Sequence, residues 1–420
     1  MSDMLELADR LWTGEADLAE HHPVGFLGEL TEVGEGMAFL PSFANVTAVE
    51  TAEGLVLFDS GSFALAQHAH EQVRGWRPDT CVHTVVFTHG HVDHVFGLPL
   101  WEAEAVDRGW VPPIVVAHEN MPARFDRYRL TAGYNTAINR RQFGVDELEW
   151  PLDYRYPDRT YRDELELEIG GERFELHHAK GETDDYTWTW IPGRRTICCG
   201  DLFIWAVPNA GNPQKVQRYP REWVQALRAM AELDAELLLP GHGLPVVGAE
   251  RVRAALEDSA ALLESLVEQT LALMNEGAAL DQILQAVRAP ANLLEKPYLR
   301  PIYDEPEFIV RNLWRQFGGW YDGNPAHLKP APDAALANEL AELAGGPERL
   351  AGRALELAEA GELRLAGHLA ELAALAAPDD GTAQRARAEV NERRAGDASS
   401  TMARGVFNAA ARESRAKLGD

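Results

Sequence analysis

The stretch FTHGHVDHVFG, residues 87–97, places three histidines and one aspartate within six residues. It continues VHTVVF (residues 82–87), a short, β-branched and uncharged run that is typical of a buried strand. Gly90 allows the chain to turn where this run ends. Because α/β folds place their active sites at the ends of strands, the stretch predicts a functional site in an α/β domain.

The pattern H-x-H-x-D-H has the composition of a metal site, since imidazole nitrogens and carboxylate oxygens together suit Zn²⁺ or a similar divalent ion. On a loop that leaves a strand, His89 and His91 can face one ion, while Asp93 and His94 can face a second. The alternative is a surface histidine cluster in a turn, and the flanking strand and glycines disfavour it. We therefore predict two Zn²⁺ ions per chain, with other divalent metals as alternatives.

One loop cannot supply all the ligands that two metal ions need, so residues at other strand ends must supply the rest. His242 in LLLPGHG and Asp201 in ICCGD both follow apolar runs, although a loop histidine and a helix-capping aspartate are the simpler alternatives. Glu182 in AKGETDD follows a strand and a glycine turn, but Asp184 and Asp185 lie beside it. From the residues alone, any of these three acids could equally be a solvated surface acid.

Other polar residues at strand ends are expected to have structural roles. A lone histidine at such a position is more often structural than a metal ligand, and this applies to His118, His177 and His178. Asp59, in LVLFDSG, is expected to hold the backbone of the metal loop through hydrogen bonds.

The composition describes a globular protein of two or three domains, with 420 residues of which 46% are hydrophobic and 25% charged. Three cysteines, Cys81, Cys198 and Cys199, are too few and too poorly spaced for a disulfide framework, and we expect them in the core. A net charge of -27 disfavours nucleic acid as a partner, because phosphate binding needs clustered Lys and Arg.

A membrane partner is not expected. No apolar run approaches the roughly 20 residues that span a bilayer. The first residues are acidic and lack the basic, apolar and small-residue regions of a secretory signal. We expect a cytoplasmic protein.

The pattern of apolar residues in the sequence changes near residue 249. Short β-rich runs alternate with helical patterns before it, and Leu, Val and Ala at three- and four-residue intervals dominate after it. The later helical units are separated at residues 344–347, 359–362 and 377–381. We predict an α/β domain over residues 1–248, an all-helical, hairpin-like domain over 249–395, and a tail over 396–420.

The ordered pattern of Asp59, the histidine loop, Asp201 and His242 resembles the metallo-β-lactamase superfamily. Most members carry a histidine after the glycine turn between the second and third motifs, whereas Glu182 stands there in this chain. A glutamate at this place is similar to the alkylsulfatase branch, as is its position nineteen residues before the acid that bridges the metals. The resemblance implies Glu182 as a ligand and Asp201 as the bridging acid, although the branch itself uses glutamate for bridging.

Two further stretches look like the same branch: AGYNTAINRRQFG, residues 132–144, and GGWYDGNPAHLKP, residues 318–330. The resemblance covers residues 40–395 and implies a metallo-β-lactamase αβ/βα sandwich followed by an all-helical dimerisation domain, and hence a homodimer. Alkylsulfatases typically end in a sterol-carrier-like domain that handles apolar chains, while this chain ends after the helical hairpins. We therefore expect a substrate of small or medium size.

The chemistry that follows is hydrolysis by a metal-bridging hydroxide, with Asp93 and Asp201 as the catalytic residues and an alkyl sulfate ester as the substrate. A lactone, thioester or phosphoester is the alternative within hydrolysis. A di-iron redox centre or a metal-binding scaffold is the alternative outside it.

An anionic sulfate ester needs basic or amide groups that receive its oxygens. Our candidates come from the Arg-Arg segment and from GNPQKVQRYP, and an exposed charge is the alternative for each. They are Arg140, Arg141, Lys215, Arg218 and Asn212.

Overall fold

The apolar run before the histidine loop is a central strand of the first of two β-sheets. The computed structural model describes residues 3–419. They form a sandwich unit, made of residues up to 132, 151–278 and 282–318, and a helical unit, made of residues 133–150, 279–281 and 319 onward. Our domain boundaries at residues 248 and 395 mark changes in the sequence and stay predictions.

The first sheet has its strands in sequence order, from β1 to β7. Strands β1 to β4 are antiparallel to their neighbours, and β4 to β7 run parallel. Parallel neighbours bring the residues after β4 and β5 to the same edge of the sheet. The strands are β1 Thr31–Gly34, β2 Met37–Leu40, β3 Val46–Thr51, β4 Gly54–Phe58, β5 Val82–Val86, β6 Ile114–His118 and β7 Arg159–Tyr161.

The second sheet has the order β13-β12-β11-β10-β9-β8. Only its pair β11 and β12 is parallel, so the residues that follow these two strands also meet at one edge. The strands are β8 Glu164–Ile169, β9 Glu172–Ala179, β10 Tyr186–Ile191, β11 Thr196–Gly200, β12 Leu237–Pro240 and β13 Val246–Val247.

Helices connect the strands and make up the later part of the chain. None of the described helices combines the length and the apolar character needed to cross a membrane. They are α1 Asp3–Thr13, α2 Ala66–Trp76, α3 Val92–Val95, α4 Leu98–Arg108, α5 Met121–Leu130, α6 Ala132–Phe143, α7 Pro220–Ala231, α8 Ala249–Asn275, α9 Leu280–Ala286, α10 Ala291–Leu294, α11 Pro306–Phe317, α12 Pro325–Leu328, α13 Asp333–Ala344, α14 Pro347–Glu359, α15 Leu363–Ala376, α16 Gly381–Asp397 and α17 Thr401–Leu418.

The two sheets pack face to face through one apolar core. Phe58 of β4 lies against Phe174 of β9, with ring centroids 6.1 Å apart, and Val86 and Cys198 belong to the same core. The outer face of the second sheet packs against helices α7 and α8, which contribute residues such as Trp223. Helix α2 covers part of the outer face of the first sheet. This order of layers confirms the predicted αβ/βα sandwich.

The helical unit has a core of small side chains. Ala354 of α14, Ala366 of α15 and Ala386 of α16 are completely buried, and small residues of this kind let helix axes approach closely. Its helices α13 to α16 end and begin at the predicted separators, where Gly345 and Gly361 have positive φ angles. The predicted all-helical architecture is confirmed, and residues 401–418 add helix α17 to it.

Candidate metal centre

The histidine loop leaves β5 and turns into the short helix α3. Phe87 and Asp59 continue the parallel ladder, because the Phe87 N–H donates to the Val116 carbonyl and the Asp59 N–H donates to the Val86 carbonyl. The ends of three neighbouring strands are therefore aligned under the loop. The ends of β11 and β12 supply Asp201 and His242 from the other sheet.

Seven side chains of the loop and of the second sheet come together in two groups. In each group the possible ligand atoms lie within 4.8 Å of one another. The first group is His89, His91, Glu182 and Asp201, and the second is Asp93, His94 and His242. The structure thus brings together all seven residues that the sequence predicted as metal ligands.

Asp201 lies between the two groups. Its Oδ2 atom is 3.6 Å from Nε2 of His89, 3.5 Å from Nε2 of His94 and 3.3 Å from Nε2 of His242. A Cβ atom on Gly241 would lie 2.0 Å from Asp201 Oδ1, so only glycine leaves room for this carboxylate. This arrangement suits a carboxylate shared by two adjacent ions.

Hydrogen bonds fix the orientation of three imidazole rings. His94 Nδ1 lies 2.7 Å from a carboxylate oxygen of Asp59, and His242 Nδ1 contacts the Phe43 carbonyl. His89 Nδ1 lies 3.0 Å from Thr88 Oγ1, whose proton goes to Asp59. Each acceptor requires the proton on Nδ1, which leaves Nε2 as the atom that can bind a metal.

The donor set fits divalent metal ions. His94 Nε2 and Asp201 Oδ1 are buried and have no hydrogen-bond partner among the described residues. Buried polar atoms are normally satisfied, so these two point to a ligand. Four imidazoles and three carboxylates match the donor preference of zinc.

Burial and charge set the protonation of these groups. Burial lowers the pKa of His89 and of His91 well below the usual value, which keeps both rings neutral. Burial acts in the same direction on His94, but the carboxylates of Asp201, Asp59 and Asp93 raise its pKa well above the usual value. Burial alone would raise the pKa of Asp201, and the neighbouring histidines instead lower it strongly.

Asp59 and Asp185 contact the backbone of the loop. Asp59 accepts hydrogen bonds from Thr88 N at 2.8 Å and Thr88 Oγ1 at 2.8 Å, with a φ of 60° that places its carboxylate under the loop. Asp185 accepts from Gly90 N at 3.0 Å and pairs with Arg124 at 2.7 Å. Asp59 makes the contacts that its predicted structural role needs, whereas sequence reasoning gave Asp185 no such role.

Glu182 has a separate set of supports. Arg218 Nη2 donates to its carboxylate at 2.9 Å, Arg218 Nη1 donates to its carbonyl, and Asn209 Nδ2 donates to the same carboxylate oxygen. Burial raises the pKa of Glu182 to about 7, while Arg218 opposes this change. Asn312 of α11 receives the Arg218 N–H at 3.3 Å and donates to the Arg218 carbonyl at 3.1 Å. No local signal in the sequence identifies Asn312.

The predicted substrate-binding residues lie in different places. Lys215 lies near the centre, where burial and Arg218 lower its pKa to about 7 against the opposing carboxylates of Asp93 and Glu182. Asn212 is buried and accepts hydrogen bonds from the backbone of the next residues. Arg140 and Arg141 belong to the helical unit, where Arg140 Nε donates to the Leu148 carbonyl at 2.8 Å.

The acids beside Glu182 and the other strand-end histidines have other partners. Asp184 and Asp185 pair with Arg124. His118 stacks on His178 with centroids 3.6 Å apart, and His177 stacks on Trp188 at 4.2 Å.

Comparison with known proteins extends this picture. Residues 40–242 match the model of the metallo-beta-lactamase superfamily, and residues 279–417 match that of the alkyl sulfatase dimerisation domain. A linear primary-alkylsulfatase from a Pseudomonas species is 26% identical over 323 residues, which are 72% of this chain and 61% of that protein. An (R)-specific secondary-alkylsulfatase from Pseudomonas is 26% identical over 404 residues, covering 89% of this chain and 60% of that protein.

A solved structure shares the fold. The stereoselective inverting sec-alkylsulfatase Pisa1 from Pseudomonas superposes with a TM-score of 0.83 at 22% identity, over 92% of this chain and 65% of that one. This chain spans about three-fifths of the length of the curated relatives that it matches. Residues 40–242 of this chain thus match the metallo-β-lactamase superfamily, and residues 279–417 match the alkyl sulfatase dimerisation domain.

Proposed function

We propose that this protein is a binuclear zinc hydrolase of small or medium alkyl sulfate esters. The observation that carries the proposal is the position of Asp201, whose carboxylate lies within 3.6 Å of imidazole nitrogens from both ligand groups. Two ions that share this carboxylate would each have four protein donors, three of their own and Asp201 in common. We propose a sulfate ester as the substrate because the similar proteins are alkylsulfatases.

The roles of the chain's own residues follow from their contacts. A pair of bound divalent ions supplies Lewis acidity and a nucleophile derived from water at neutral pH. Asp59 and the Phe43 carbonyl hold the rings of His94 and His242 with Nε2 turned inward. Arg218 and Asn209 donate hydrogen bonds to the Glu182 carboxylate and fix its position, and the charge of Arg218 opposes the rise in its pKa that burial causes.

The basic residues beside the centre receive the sulfonate group. Both terminal nitrogens of Arg218 are engaged by Glu182, so this residue chiefly positions the ligand. Lys215 is partly buried, and it lies close enough to Asp93 and Glu182 for their charges to act on it. We assign the first contact with a sulfonate oxygen to Lys215, with Asn212 and the arginines of the Arg-Arg segment as further candidates.

The assembly proposal is a homodimer formed through the helical domain. Its basis is the match of residues 279–417 to a dimerisation domain. Light scattering should give twice the chain mass of 46.4 kDa, and a value near 46.4 kDa would contradict the dimer.

The test of the function combines metal analysis with product analysis. Purified protein supplied with zinc should bind two ions per chain and release sulfate from medium-chain alkyl sulfates. Asp201→Asn should lose metal from both groups and lower kcat by at least about 100-fold, since the shared carboxylate is removed. Asp379→Asn, at an exposed position of the helical unit, is the matched control.

Two outcomes would overturn the proposal. Fewer than one bound ion per chain, with no activity after zinc is added, would exclude the binuclear centre. Rapid cleavage of lactones, thioesters or phosphoesters without sulfate release would reassign the substrate. Mass spectrometry of products formed in ¹⁸O-labelled water then identifies the bond that breaks.

A further inference from the structure

Helix α5 turns one face toward the metal centre. Arg124, Arg127 and Tyr128 are three and four residues apart, so they lie on the same side of the helix. The Tyr128 ring lies 6.4 Å from the ring of His91, a residue of the first ligand group. Arg124 pairs with Asp185, which binds the backbone of the histidine loop at Gly90.

The two arginines of this face differ in their partners. Arg124 is neutralised by Asp184 and Asp185. Arg127 has no carboxylate within ion-pair distance among residues 3–419. Its guanidinium carbon lies 4.7 Å from the centroid of the Tyr128 ring. The Arg127 cation thus rests on the aromatic ring that borders His91.

One nitrogen of Arg127 lacks a hydrogen bond. Nη2 is buried, and it has no acceptor within the part of the chain that the structure describes. A buried N–H of a charged group without an acceptor is costly, which makes an oxyanion ligand the natural partner for it. Lys215 lies close enough for the charge of Arg127 to contribute to its lowered pKa. Arg127 and Lys215 therefore lie close enough for their charges to interact.

We propose that Arg127 is a substrate-binding residue that donates from Nη2 to the oxyanion group of the substrate, on the His91 side of the metal centre. The inference deepens the proposed function and rests on it. The chemistry that it recognises is a tetrahedral oxyanion, such as the sulfonate group of a sulfate ester. Inorganic sulfate and phosphate serve as probes that carry the same group.

The experiment titrates zinc-loaded protein with inorganic sulfate by calorimetry and measures kcat and KM for a medium-chain alkyl sulfate. Arg127→Gln should weaken sulfate binding and raise KM by about 10- to 100-fold, as expected when a charge-assisted hydrogen bond is lost. Arg127→Lys should recover part of both effects. Arg129→Gln makes the same change on the same helix at an exposed residue that contacts Tyr156, and it should match the wild type.

The outcomes separate this inference from the proposed function. If Arg127→Gln binds sulfate and alkyl sulfate as the wild type does, Arg127 is not a ligand of the substrate, whatever the reaction. If the wild type binds sulfate, loses that binding in Arg127→Gln and releases no sulfate from esters, the anion site stands and the proposed reaction fails. Tighter binding of phosphate than of sulfate, lost in the same variant, would keep the site and favour a phosphoester.

Discussion

The histidine loop and Glu182 contribute to the same candidate centre, but they are held in different ways. The loop is fixed at the strand ends by Asp59, which lies 29 residues before Thr88 and 35 before His94. Glu182 is fixed by Arg218, which in turn is held by Asn312, 94 residues further along the chain. The histidine loop and its supports, which we call the loop side, thus depend on the first sheet. Glu182 with Arg218 and Asn312, which we call the Glu182 side, depends on contacts between irregular segments and helix α11.

The difference also concerns charge. On the loop side, Asp59 accepts a hydrogen bond from a ligand, so it selects the atom of His94 that can bind metal. On the other side, Arg218 neutralises the ligand itself. We expect loss of Asp59 to weaken metal binding above all, and loss of Arg218 to destabilise the metal-free protein.

Among the substitutions on the Glu182 side, Arg218→Met should lower the stability of the protein most. Removing one partner of a buried ion pair leaves the other charge unpaired, and the free energy of unfolding of the metal-free protein should fall by about 3 to 5 kcal/mol. Added zinc should restore part of this loss, because the cation replaces the guanidinium as the partner of Glu182. Urea unfolding with and without zinc measures both effects.

Arg221→Met supplies the control for this experiment, since it is exposed at the start of α7. If Arg218→Met unfolds like the wild type in the absence of zinc, Glu182 does not depend on Arg218.

Asp59→Asn tests the loop side with a side chain of the same shape. Asp59 Oδ1 receives the Thr88 N–H, so the Asn oxygen should stay there and the amide NH₂ should face His94 Nδ1. The NH₂ group favours a proton on Nε2, the atom that must bind the metal. We expect zinc affinity to fall by about 10- to 100-fold. Competition with a chelator of known affinity measures it.

Asp79→Asn, at an exposed position, is the matched change on the surface. Unchanged zinc affinity in Asp59→Asn would show that the hydrogen bond to His94 does not direct the metal-binding atom.

The same contrast explains how much could be predicted from the sequence. The ligands of the loop are adjacent in the chain, and His242 and Asp201 follow apolar strands, so their types and positions predicted the cluster. The supports Asn312 and Asp185 have ordinary sequence surroundings. Their roles depend on contacts between segments that are distant in the chain, and short sequence patterns do not predict such contacts.

The fold shows a similar division. Strands that end in functional residues, such as β5 and β11, were predicted because a buried run stops at a glycine or an acid. The strands β1, β2 and β7 have only three or four residues and were not predicted. The alternating sequence ELELEI of β8 was a usable signal that the prediction did not include.

The smallest effect that we expect is on the pH dependence of stability, and it comes from Asp304 on the Glu182 side. Asp304, before this helix, is completely buried and accepts hydrogen bonds from Gly211 N at 2.5 Å and Glu305 N at 2.8 Å. These contacts anchor the segment that carries Asn209, which bonds to Glu182. Burial nevertheless raises the pKa of Asp304 from 3.8 to about 7.

The sign of the pH effect follows from linkage. Between these two pKa values the folded state holds a proton that the unfolded state releases, so the free energy of unfolding decreases as the pH rises. Asp304→Asn cannot ionise, and it should lack this decrease of about 1 kcal/mol between pH 5.5 and pH 6.5. Urea unfolding at both pH values gives the slope, with the exposed Asp281→Asn as the control. The slope is the test, because the amide also loses one hydrogen-bond acceptor and lowers stability equally at both pH values. Equal slopes in Asp304→Asn and the wild type would mean that the carboxylate titrates near its ordinary pKa, and that the anchor of the Glu182 side is charged.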